Sequence, residues 1–118
     1  MAEDVVDLKV RTKRFALRII RLTGSLPNTT VGEVISKQVL RSGTSVGAHY
    51  REGCRARSNA EFISKLEGGL QELEATAYWL ELIVEGELIS RGQLISLRQE
   101  TDELIAIFVT CVKKAKGH

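Results

Sequence analysis

Ser58-Asn-Ala-Glu-Phe-Ile-Ser-Lys-Leu-Glu-Gly-Gly-Leu-Gln-Glu-Leu-Glu-Ala-Thr-Ala-Tyr-Trp-Leu-Glu-Leu-Ile-Val-Glu-Gly86 is the stretch that decides the fold. Phe62, Leu66, Leu70, Leu73, Ala77, Leu80 and Val84 follow one another by three or four residues, the spacing that gathers apolar side chains on one side of an α-helix. Ser58 with Glu61 three residues on is a capping-box start, and Gly86 is a stop. The spacing predicts a helix over 59–86.

The same rhythm extends in both directions. Upstream, Arg55-Ala-Arg-Ser-Asn59 reads as a turn, preceded by a helix over 31–54 that opens on a Thr30 and Glu33 capping box and stops near Gly53. Its apolar line is Val31, Ile35, Val39 and Val46, and a polar line of Gln38, Ser42, Ser45, His49 and Glu52 runs beside it. Two lines on one helix imply two occupied faces. Further upstream, Val5, Leu8, Thr12, Phe15, Ile19 and Leu22 define a helix over 4–24, closed by Gly24 and the chain's single proline, Pro27. Downstream, Ser90 opens a helix over 90–115 with Leu94, Leu97, Thr101, Leu104, Phe108 and Cys111 on its inner side. Cations at Lys113, Lys114 and Lys116 suit the negative end of that helix's dipole. No segment alternates as a strand would. The expectation is an all-α, antiparallel up-down four-helix bundle forming one domain over 1–118.

Composition agrees. The 118 residues, 43% hydrophobic and 27% charged, suit a single globular domain rather than a disordered or fibrous chain. No apolar run approaches the roughly 20 residues that a spanning helix needs, no signal-peptide pattern opens the chain, and two cysteines are too few for a disulfide framework. A soluble, cytoplasmic protein with no membrane role is expected. The net charge of +2 hides an asymmetry. Residues 1–59 carry 11 Lys and Arg against 5 Asp and Glu, whereas residues 60–118 carry 6 against 10. The halves should attract each other, within one bundle or between copies. The sharper alternative is a basic face for nucleic acid built from Lys9, Arg11, Lys13, Arg14, Arg18 and Arg21.

Enzymatic motifs are missing. Neither His49 nor His118 has a glutamate three residues before it, which removes the di-iron signature of such bundles. His49 and Cys54 are badly spaced for zinc, and no phosphate-cradling glycine loop occurs. Neither metal nor cofactor is expected. Gly43 and Gly47, and the pair Gly68-Gly69, sit inside helices where glycine costs about 1 kcal/mol against alanine. They suggest backbone-to-backbone contact between the second and third helices or between subunits. Glu67, Glu74 and Glu81 recur every seven residues, and arginines of the first two helices are their natural partners. Tyr50 and Trp79, with Leu17, Ile20, Leu40, Leu82 and Ile83, exceed what a lone bundle needs to bury.

The stretch Gln38-Val-Leu-Arg-Ser-Gly-Thr-Ser-Val-Gly-Ala-His-Tyr-Arg-Glu-Gly53, with Arg57-Ser-Asn-Ala-Glu-Phe62 and Leu70-Gln-Glu-Leu-Glu74, resembles the bacterial four-helix-bundle family encoded in intervening sequences of 23S rRNA genes. Arg41, Ser42, Ser45, Glu52, Gly53, Ser58, Glu61, Phe62, Leu73 and Glu74 stand where that family's motif has the same residues. His49 stands where the family usually has asparagine. The resemblance implies a homo-oligomeric ring of five with no established catalytic activity, so no enzymatic role is expected. It also implies kinship with the accessory proteins of diversity-generating retroelements, basic pentamers thought to bind reverse transcriptase and nucleic acid.

Two functions are therefore expected to compete. In the first, Arg41, Arg51, Arg55 and Arg57 contact RNA, DNA or a nucleic-acid enzyme such as a reverse transcriptase. In the second, the chain is a structural or protein-partner module, and the same arginines pair with Glu67, Glu72 and Glu74. The family-matched polar residues Arg41, Ser42, Ser45, His49, Glu52 and Glu74 are expected to form a partly buried hydrogen-bonded network, with Glu74 the partner of Arg41. On that expectation Arg41→Ala destabilises the bundle more than Arg14→Ala.

Overall fold

The computed structural model describes residues 7–117, which form four α-helices and, among the described residues, no strand. These are α1 (Leu8–Thr23), α2 (Thr30–Cys54), α3 (Asn59–Glu85) and α4 (Arg91–Ala115). The expected start of the first helix at residues 4–6, and Val5 with it, lie outside the described residues. Consecutive helices pack side by side through short connections, as an antiparallel up-down bundle requires. The fourth side, between α1 and α4, closes only loosely.

Three of the four helices begin where a side chain takes up an orphan amide. Asp7 accepts from the Lys9 amide, Thr29 from Gly32, and Ser58 from Glu61. The second cap falls one residue earlier than expected, at Thr29 rather than Thr30. The cause is Gly32: a Cβ there would run into the Pro27 carbonyl oxygen, so only glycine lets the connection fold back onto the first turn. The face buried in that turn is accordingly that of Gly32, and Val31 is 58% exposed instead of leading the apolar line. At the start of α3 the reciprocal arm of the box is displaced, and Glu61 accepts from the Arg57 amide at 3.1 Å. Ser90 caps no amide and instead donates to Gln93 Oε1 at 2.9 Å.

The core follows the seven-residue rhythm. Phe15, Ile19, Val39, Val46, Leu66, Leu73, Leu80, Leu104 and Phe108 are completely buried. α3 has neighbours on two sides, so its buried arc is wider than one line. Ile83 and Thr76 are fully enclosed, while Phe62, Leu70 and Ala77 are only half-buried. Ile83 is thus core, not surplus.

Glycines set how closely helices approach, but not where expected. Gly43 and Gly47 face α1, where an added Cβ would meet Ile19 Cγ1 at 2.7 Å and Thr12 Oγ1 at 3.0 Å. Gly69 admits the Phe108 ring of α4, and Gly68 admits the His49 ring of α2. The close partners are side chains rather than backbone. α2 ends at Cys54, as expected, with Gly53 buried inside its last turn against Leu66.

Candidate nucleic-acid interface

The C-terminal ends of α2 and α4 lie at the same end of the bundle, because alternate helices run in the same direction. Asn59 Nδ2 ties them by donating to the Ala115 carbonyl at 2.6 Å, and Lys116 Nζ reaches Glu67 at 3.1 Å. This arrangement gathers Arg51, Arg55 and Arg57 with Lys113 and Lys114. All five are exposed, and none has a carboxylate within 4.0 Å among the described residues. Four of them, all but Arg57, also sit at the carbonyl ends of α2 and α4, a location that favours cations.

Arg41 does not belong to this group. It lies ten residues before Arg51, about 15 Å along the helix axis, and is paired with Glu72 at 3.3 Å. The expected partner, Glu74, faces solvent without an ion pair among the described residues. The two carboxylates are two residues apart, about 200° around the helix, and only Glu72 is on the flank of α3 that faces α2. In sequence, Lys113 and Lys114 read only as dipole partners, although an up-down order of helices already places them at the same end of the bundle as Arg55.

The polar line of α2 does not form one network within the chain. Ser42 is fully buried, its hydroxyl 2.8 Å from that of Thr76. Ser45 donates back to the Arg41 carbonyl at 2.6 Å, a local bond inside the helix. His49 packs its ring on Gly68; its Nδ1 is buried without a hydrogen-bond partner, 3.6 Å from a Glu52 carboxylate oxygen. Glu52 is 3.4 Å from Lys65.

The basic face expected on α1 is partly neutralised. Arg11 donates from Nε and Nη2 to both carboxylate oxygens of Glu100 at 2.8 Å, and from Nη2 to Glu103 at 2.7 Å. The Glu100 hydrogen bonds raise its pKa, which burial opposes and Glu103 reinforces. Arg18 donates to Ser96. These contacts are what bridges the loose α1–α4 side. Glu67 likewise finds a lysine of α4 instead of an arginine of the first two helices.

Behind the basic end, the Tyr50 ring lies 6.1 Å from that of Phe108. Its hydroxyl is pushed up to about 12, first by burial, then by its hydrogen bond with Cys54 and by the neighbouring Cys54, Cys111 and Asp7. Tyr50 is therefore a neutral hydrogen-bonding group near pH 7. Burial also pushes the Cys111 thiol up. Both cysteines are free thiols. No helix among the described residues is long and apolar enough to cross a membrane.

Fold and surface together define an antiparallel four-helix-bundle protein with one strongly basic end. The 23S rRNA-intervening sequence protein family matches residues 6–110, and the chain belongs to that family. It is similar to a solved protein of unknown function from the S23 ribosomal protein family of Bacteroides thetaiotaomicron VPI-5482. The two are 42% identical over 89% of this chain and 97% of that one, with a TM-score of 0.84. No curated protein matches the chain.

Proposed function

We propose that the chain is a non-enzymatic, homo-oligomeric bundle of the cytoplasm whose basic end engages the phosphate backbone of RNA or DNA, alone or in complex with a nucleic-acid enzyme. The observation that carries this reading is the group of exposed, unpaired cations Arg51, Arg55, Arg57, Lys113 and Lys114. Cations held in internal ion pairs, such as Arg11 and Arg41, must give up a carboxylate before they can meet a phosphate. The five at the basic end need not. Phosphate contacts fix position without reading bases, so affinity should depend on salt far more than on sequence.

The test is a mobility-shift titration with single-stranded and hairpin RNA over a range of salt concentrations. Binding should weaken linearly on a log–log plot, and Arg55→Ala and Arg57→Ala should each reduce the slope by about 1. Arg41→Ala should leave the slope unchanged. A chain that forms no complex at low salt is not a nucleic-acid binder, and the structural-module reading takes its place.

A further inference from the structure

The two helices on the loose side of the bundle are unequal in charge where they meet farthest from the basic end. α1 holds no Asp or Glu, and α4 has none before Glu100. Arg11 clasps the pair through Glu100 and Glu103 on the side nearer the basic end. Beyond that clasp, the last two turns of α1 and the first two of α4 are joined, among the described residues, by one side-chain hydrogen bond, from Arg18 to Ser96 at 2.9 Å.

Here the two helices enclose a cleft of about 290 Å³. Its floor is apolar, formed by the outer edges of Leu22, Ile89, Leu94 and Leu97, and its rim carries Arg18 and Arg21. Arg18 donates to a neutral hydroxyl, and Arg21 has no ion pair or side-chain hydrogen bond among the described residues. No carboxylate among the described residues lines the cleft. A larger hollow of about 600 Å³ adjoins it through Ser25 and Gln93, and Glu87 is among the residues that line that hollow.

We propose that this cleft binds a small amphipathic organic anion, its acid group on Arg18 and Arg21 and its apolar body along Leu22, Ile89, Leu94 and Leu97. Charge complementarity selects the occupant. Two guanidinium groups without a carboxylate partner present forked donors that match the oxygens of a carboxylate, sulfonate or phosphate. A bare inorganic anion would satisfy this rim and leave the floor wet, and a neutral apolar molecule would cover the floor and leave the rim unpaired. Only a ligand with both parts uses both surfaces, the usual composition of a small-molecule site. Glu87 in the adjoining hollow repels an acid group placed there, which fixes the anionic end of the ligand on the arginine side. The loose α1–α4 contact lets the cleft widen around a ligand without breaking the Arg11 clasp. The site lies at the opposite end of the bundle from Arg55 and Arg57 and is independent of the nucleic-acid reading.

Anilinonaphthalene sulfonate, a fluorescent anion with an apolar ring system, is the probe. Titrated into the folded full chain, it should give a saturable, blue-shifted rise in emission. Arg18→Glu with Arg21→Glu should weaken its binding by about tenfold or more, the scale of a lost charge-assisted pairing. Arg55→Glu with Arg57→Glu changes the net charge equally at the other end and should leave binding as it was. Circular dichroism checks that the helices are retained; Arg21→Gln, a milder change at an exposed position, should still weaken binding several-fold if the double reversal unfolds the chain. Octanoate should displace the probe, and inorganic phosphate at the same concentration should not. A parent chain that gives no emission rise overturns the proposal, as does a loss that is equal for the two double reversals or absent from both Arg18→Glu/Arg21→Glu and Arg21→Gln. Octanoate that leaves the probe bound overturns it too. Displacement by inorganic phosphate reduces the site to its rim, and displacement by hairpin RNA assigns the arginines to nucleic acid; either result overturns it as well.

Discussion

The hydroxyls of Ser42 on α2 and Thr76 on α3 lie 2.8 Å apart, in positions where neither side chain reaches solvent. Thr76 also bonds the Glu72 carbonyl at 2.8 Å, so its single proton goes there and the proton of Ser42 goes to Thr76. Ser42 has only a weaker alternative, the Val39 carbonyl at 3.4 Å. Ser42 is therefore satisfied largely through Thr76, which accepts from it while donating within its own helix. Ser42→Ala and Thr76→Val should each destabilise the bundle by about 1 kcal/mol, the usual net worth of a buried hydrogen bond. The double variant should cost less than the two singles together, since the second change removes a group already left unpaired. Urea denaturation of the four proteins measures this coupling, and strict additivity would show that the two hydroxyls are independent.

Arg11 joins α1 to α4 through a fork on Glu100, with both side chains only 19% exposed. Removing the guanidinium leaves Glu100 half-enclosed without its counter-charge, on the side of the bundle where helix contact is sparsest. Arg11→Ala should cost about 2 kcal/mol, less than the loss of a partner from a fully buried pair because some water reaches the site. Arg41→Ala breaks a pair in which the arginine is 60% exposed, and should cost less than about 1 kcal/mol. Arg14→Ala should be near neutral. Thermal melts of the three variants should rank Arg11 first by several degrees. Arg41 as the most damaging of the three would refute the assignment of the α1–α4 clasp to Arg11.

Periodicity made the four helices, their order and most of their buried faces legible, because burial of an apolar line every three to four residues needs only local sequence. Partner identity was not legible in this way. Arg11 reads as a free cation in sequence, since the glutamates that hold it lie 89 and 92 residues away. The same limit applied to Gly43 and Gly47: their spacing marks a close approach, yet only the packed structure shows Ile19 and Thr12 as the neighbours. Ile83 fell outside the single line drawn along α3 because a helix flanked on two sides buries more than one line. The Arg51, Arg55 and Arg57 portion of the candidate interface was readable, and Lys113 and Lys114 follow once the up-down order is applied to it.

Gly43 and Gly92 are both helical glycines, and they should respond to alanine with opposite signs. A Cβ on Gly43 would stand 2.7 Å from Ile19 Cγ1 and 3.0 Å from its Cγ2, inside the close-packed α1–α2 contact. Ile19 is fully buried and β-branched, with one strongly preferred rotamer in a helix, so it cannot swing aside and the helices must separate instead. Gly43→Ala should therefore destabilise by about 1 to 3 kcal/mol, the range for overpacking a core, despite the better helix propensity of alanine. Around Gly92 an added Cβ meets nothing within 4 Å. There the only effects are the reduced freedom of the unfolded chain and the propensity gain, so Gly92→Ala should stabilise by about 0.5 to 1 kcal/mol. Denaturation midpoints that move in opposite directions confirm that Gly43 is required by its neighbour Ile19; a stabilised Gly43→Ala protein would mean that α1 does not lie this close to α2.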